Sequence, residues 1–143
     1  MREVLFNPTV FILGAMVYAS VAVFTTAFES GSYGSLYWLP RVRDKKEGWT
    51  RPDDKGYPWY SYGTYWLHPG ETYFYELDDE ASGHMTLHRV TWETIEAGIK
   101  TLADKYPDGV KYLIGDEDSD DIADGPEADV IVQYLILGEE RYG

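Results

Sequence analysis

No cysteine occurs in this chain of 143 residues. That excludes disulfide staples, thiolate zinc sites and cysteine nucleophiles together, and it suits a reducing compartment. Basic residues are scarce: 12 Lys and Arg stand against 25 Asp and Glu, for a formal net charge of −13. Direct binding to nucleic acid or to an anionic lipid surface is opposed by that balance, since both carry the same sign. Basic proteins, cations and mimicry of nucleic-acid charge stay open to it. Catalytic signatures are missing too. There is no G-x-S-x-G, P-loop, H-E-x-x-H or dinucleotide fingerprint, so the sequence leans away from an enzyme and names no reaction or cofactor.

What is present begins with a charge-free run from Pro8 to Phe28. Asn7 can cap the free N–H groups of a first helical turn, Pro8 tolerates the N1 position, and Ser30-Gly31 can stop the helix. The expected helix over residues 8–30 rises about 33 Å, the length of a bilayer crossing. It has no polar face, as a membrane span over 8–28 would not. Tyr18, Ser20, Thr25, Thr26 and Gly14 interrupt it, and no basic cluster adjoins its start, which favours a central helix buried in protein. Ala15, Ala19, Ala22 and Thr26 form a small-residue stripe that suits close helix packing. Arg2-Glu3 and the length of the apolar run argue against a secretory signal peptide.

A single α+β domain over residues 1–143 is expected: a long apolar N-terminal helix, central antiparallel aromatic-rich strands, and two or three C-terminal helices. Residues 36–39 suit a short strand or a tight aromatic loop. Residues 41–56 (RVRDKKEGWTRPDDKG) read as an exposed charged loop, in which Arg43, Lys45, Lys46 and Trp49 are candidate contact residues. Strands fall within residues 57–90. The aromatics of Tyr57–Trp66 recur at almost every second position, while TYFYELD (72–78) and HMTLHRV (84–90) alternate around a DDEASG turn, the pattern of a hairpin. The aromatic band from Tyr57 to Tyr75 suits core packing, with base or sugar stacking as the functional counterpart. A helix over 92–105 follows, capped by Thr91 and carrying Trp92, Ile95, Ile99 and Leu102 as its buried stripe. A helical turn over 110–114 and a nearly all-apolar helix over 127–137, stopped by Gly138, complete the reading. Two all-apolar helices in one small chain pack on each other or make a homo-oligomer.

Two segments carry a resemblance. TAFESGSYGSLYW (26–38) and ADVIVQYLILGEERYG (128–143) resemble a group of small, uncharacterised phage and prophage proteins. Those share a Thr-Ala-x-Glu-x-Gly stretch followed by Tyr-Trp, and an Ala-Asp helix with an internal Gln that ends in Gly-Glu-x-x-Tyr-Gly. The stretch from His84 to Pro107 is similar as well, so the likeness covers about half the chain. It implies phage origin and an α+β fold; host cytoplasm is the expected location, with the membrane, through the apolar first helix, as the alternative. It implies no chemistry. The chain departs from the group in its apolar first helix and in the acidic insert from Asp116 to Gly125.

That insert is the sharpest local pattern. Asp116, Glu117, Asp118, Asp120, Asp121 and Asp124 form a candidate acidic surface for a host protein, able to occupy a basic nucleic-acid channel. Asp116, Asp118, Asp120, Asp124 and Glu127 also fall at positions 1, 3, 5, 9 and 12 of a calcium loop. Asp121 stands where that loop needs glycine, so a solvated acidic loop is the favoured reading. Glu29, the carboxylate at the end of the apolar helix, is a candidate buried functional carboxylate. His68, His84 and His88 read as structural, since His84 and His88 lie about 13 Å apart on one strand.

Overall fold

The structure, a computed structural model, describes residues 8–31, 34–114 and 123–142, with the side chains of the first helix described from Val17 onward. Helix α1 runs Pro8–Glu29. It ends where Gly31 takes φ +60°, the left-handed turn that glycine enters without a Cβ clash. Its second half is core. Val17, Val23, Phe24, Ala27 and Phe28 are buried, and Phe24 stacks on Trp66 with ring centroids 4.2 Å apart. From Val17 on, one face of the 8–28 run therefore packs on protein, while Tyr18, at 80% exposure, and Ala22 face outward. Among the described residues, no helix is long and apolar enough to cross a membrane.

Three strands form one antiparallel sheet in the order β1-β2-β3: β1 is Arg41–Arg43, β2 is Thr72–Asp79 and β3 is His84–Val90. The hairpin from β2 to β3 matches expectation, with a register irregularity between Leu77 and Asp79. Two expectations are corrected. The charged segment 41–56 opens with a strand, Arg41–Arg43 facing Tyr75–Tyr73; its pairing depends on a partner about thirty residues away that local composition does not reveal. Residues 57–66 hold no strand. They form a 3-10 turn at Trp59–Ser61 and a short helix α2, Gly63–Leu67. Pro58 and Gly63 disfavour a strand there, and the helical turns send Trp59, Tyr60, Tyr65 and Trp66 into one cluster around Phe28 and Phe74. Residues 35–37 likewise make a 3-10 turn.

The C-terminal helices follow the sequence reading closely. Helix α3, Trp92–Lys105, starts at a reciprocal cap in which Thr91 and Thr94 satisfy each other's backbone N–H. A short α4 spans Lys111–Ile114. Helix α5 spans Gly125–Leu137, starting two residues before the expected Glu127, because Asp124 is its N-cap and Pro126 is tolerated in the first turn. The apolar girth of α5 is spent inside the chain: Ala128, Ile131, Val132, Leu135 and Ile136 are all buried. Helix α3 approaches α5 at Gly98, where an added Cβ would lie 2.5 Å from Leu135 Cα. One face of the sheet, with Thr72, Phe74, Glu76 and Val90, is covered by this helical layer.

Candidate functional site

Among the described residues the fully buried carboxylate is Glu76, on β2. Period-two alternation sends it to the same face as Thr72 and Phe74, toward the helices. Arg141 Nη1 donates to both of its oxygens, at 2.9 and 2.8 Å, and His88 Nε2 lies 2.8 Å from Oε1. The Tyr142 hydroxyl donates to Oε2. Burial by itself would raise the Glu76 pKa, but hydrogen bonds from Tyr142, His88 and Arg141 outweigh it and hold the carboxyl below its usual range. Burial, reinforced by that carboxylate, pushes the Tyr142 phenol up to about 12. A carboxylate offers about four acceptor positions. Here they are taken, which leaves no lone pair for general-base work.

A second cluster continues the first. Gln133 is wholly buried. Its Nε2 donates to Asp129 Oδ2 at 3.1 Å and to the Tyr142 carbonyl at 2.8 Å, and its Oε1 accepts from the N–H groups of Arg141 and Tyr142. Asp129 Oδ1 accepts from Ser35 Oγ and Trp38 Nε1, at 2.8 and 2.7 Å. Trp38 in turn stacks on the Tyr142 ring. Trp38, Asp129, Gln133 and Tyr142 therefore meet in one fastening that straps the C-terminal tail to α5 and β2. Sequence reading singles out neither Glu76 nor Gln133 as a site residue, although Gln133 is the internal Gln of the C-terminal pattern. The available signal was a Glu inside an alternating aromatic strand and a Gln inside an apolar helix, each an uncompensated cost unless partnered.

The predicted contact residues 43–49 separate. Lys46 is buried, not exposed: its Nζ donates to the carbonyls of Tyr65 and His68 at 2.8 and 3.0 Å and lies over the Tyr65 ring. Burial lowers its pKa to about 8, against a smaller opposing pull from Glu93. Those carbonyls lie at the C-terminal end of α2, where a cation is favoured. Trp49 folds back edge-on to Tyr65 and donates to Thr64. Lys45 is exposed. Glu29 is exposed as well, accepting from the Tyr60 hydroxyl at 3.0 Å, which corrects its reading as a buried functional carboxylate. Helix termination at Gly31 leaves its side chain at the solvent edge.

Asp116, Glu117, Asp118, Asp120 and Asp121 lie outside the described residues. Asp124 caps α5 by accepting the Glu127 N–H at 2.9 Å, and Glu127 sits in the first turn of that helix. Among the described residues, no group of three or more His, Asp or Glu side chains is placed to hold a metal ion. His84 and His88 pair with Asp78 and Glu76 respectively.

The sheet's other face is open. It presents Arg41, Arg43 and Arg89 with Tyr73, Tyr75, Leu77, Met85 and Leu87, as the strand register dictates. The Arg41 and Arg43 guanidiniums lie over the Tyr75 and Tyr73 rings, at 4.9 and 5.5 Å. No Asp or Glu falls on this face, and among the described residues no carboxylate bridges these arginines. Three of the chain's 12 basic residues thus share one side of the sheet. No protein-family model, curated protein or solved structure matches the chain.

Proposed function

We propose that this is a phage accessory protein that binds a host macromolecule and performs no chemistry of its own, with the acidic segment Asp116–Asp124 as its contact surface and inhibition of a host defence system as its effect. The observation that supports the non-catalytic reading is the state of the buried polar groups. Glu76, Gln133 and Lys46 are each closed by partners within the fold, so each contributes to fastening instead of turning a reactive atom outward. The phage assignment rests on the resemblance of the two terminal segments. The acidic contact rests on charge: carboxylates from residue 116 to 129 occur with no basic residue among them, a field that suits a basic nucleic-acid channel.

The test is capture from a host lysate at low salt, comparing the natural chain with one in which Asp116, Asp118, Asp120 and Asp121 are changed to Lys. Loss of a specifically captured partner, together with its release from the natural chain as salt is raised, is the expected result. Retention of that partner by the charge-reversed chain overturns the acidic-surface reading.

A further inference from the structure

The geometry points to a second copy of this chain as the occupant of the free edge of β3, through antiparallel β3–β3 pairing centred on Leu87; this inference goes beyond the host-partner reading and does not rest on it. Among the described residues β3 has a neighbour on one side only, β2. An unpaired strand edge is a template for another chain, and proteins ordinarily blunt it with charge, proline or a short length. β3 is seven residues long (HMTLHRV), contains no proline, and exposes Met85 and Leu87, each at 39%. Its burial fades from Val90, at 1%, to exposed His84, so the helical layer leaves the far end of the strand uncovered on both faces.

Charge selects the occupant. Two chains of net charge −13 repel at most points of approach. β3 has no Asp or Glu, so two copies can meet there without opposing carboxylates on the paired strands. Register selects the centre. Opposed residues in an antiparallel pair share a face, so a two-fold pairing must centre on a residue. Centring on Leu87 pairs the full length of the strand: His84 with Val90, Met85 with Arg89, Thr86 with His88, and Leu87 with Leu87 of the second copy. No like charges are directly opposed in that register, and the two half-exposed apolar side chains come together with the Arg89 stems. The result is a six-stranded sheet with both arginine-tyrosine faces on the same side. A seven-residue strand is about 24 Å long, which places the contact at the small end of specific interfaces. The dimer is therefore expected to dissociate on dilution.

Light scattering coupled to size exclusion, over micromolar to several hundred micromolar protein, reads this directly. The natural chain is expected to rise from the monomer mass of 16.4 kDa toward twice that value, and to associate more strongly as salt screens the net charge. Leu87→Lys, which opposes two cations at the centre, and Met85→Arg, which opposes Arg89, should both hold the monomer mass while circular dichroism stays unchanged. Met85→Glu should instead tighten association about twofold to thirtyfold, through two symmetry-related pairs with Arg89. A natural chain that stays at 16.4 kDa throughout overturns the proposal, as does a Leu87→Lys dimer. Equal weakening by Met85→Glu and Met85→Arg would signify unregistered apolar contact and overturn it too.

Discussion

Glu76 and Lys46 show how single residues acquire their meaning from partners distant in sequence. Glu76 is wholly buried and Arg141 is 41% exposed in its side chain, so their pair is neither a surface bridge nor a sealed one. Glu76→Gln removes the charge that Arg141, His88 and Tyr142 converge on. Breaking a fully buried pair costs about 3–5 kcal/mol; with Arg141 able to regain water, a loss of about 2–3 kcal/mol is expected in denaturant unfolding. The pH dependence follows from the depressed folded-state pKa of Glu76. Its contribution is fully present above the unfolded value, about 4.3, and is lost as pH falls through the lower folded value. The stability gap between the natural chain and Glu76→Gln should thus be present at pH 7 and at pH 5 and close in stronger acid. A gap that persists unchanged to pH 2 would remove the ionic account. Lys46 runs the other way: a lysine held near 8 by burial is a cation whose confinement costs stability at neutral pH, a cost relieved as pH rises from about 8 toward the unfolded value of about 10.4.

At the scale of elements, the helices were legible and the aromatic segment was not. The α3 stripe of Trp92, Ile95, Ile99 and Leu102 is buried as its spacing requires, and Thr91 caps it, because helix periodicity and caps are local properties. Tyr57–Trp66 alternates like a strand but forms helical turns, because so short an aromatic stretch can reach the core from either conformation. In sequence Gly98 is only an isolated helical glycine, a weakness of about 1 kcal/mol. The α3–α5 crossing explains it. With Tyr134 O at 2.7 Å and Leu135 Cα at 2.5 Å from an added Cβ, backbone is the obstacle, and no rotamer can relieve it. Gly98→Ala should therefore destabilise by about 1–3 kcal/mol despite its better helix propensity, measured by chemical denaturation. A stabilised Gly98→Ala would show that the two helices are free to separate.

Across the whole molecule the governing quantity is charge. A net −13 in a 16.4 kDa chain means self-repulsion in the compact state, while the half-sealed ion pair at Glu76 is screened less than exposed pairs are. Raising ionic strength from about 0.01 M to 0.15 M shortens the screening length from about 30 to 8 Å. The melting temperature should rise across that range, followed by circular dichroism. A fall would mean that attractive surface pairs outweigh the repulsion. The same screening should strengthen self-association through β3 and weaken capture of a basic partner by residues 116–124, so salt separates the two interactions in one preparation.

The sequence by itself determined the α+β class, the hairpin of β2 and β3, the ends of α1 and α3, the exclusion of cysteine chemistry and the sign of the long-range field. Each follows from composition or from a period and a cap within a few residues. Tertiary structure alone decided that Glu76, not Glu29, is the buried carboxylate, that Lys46 faces inward, and that β1 joins the sheet. It also decided that one face of the second half of α1 packs into a protein core, where Phe24 stacks on Trp66. The reason is the same in every case. Burial and pairing depend on side chains tens of residues apart, and an apolar helical run has the same sequence signature whether protein or lipid surrounds it.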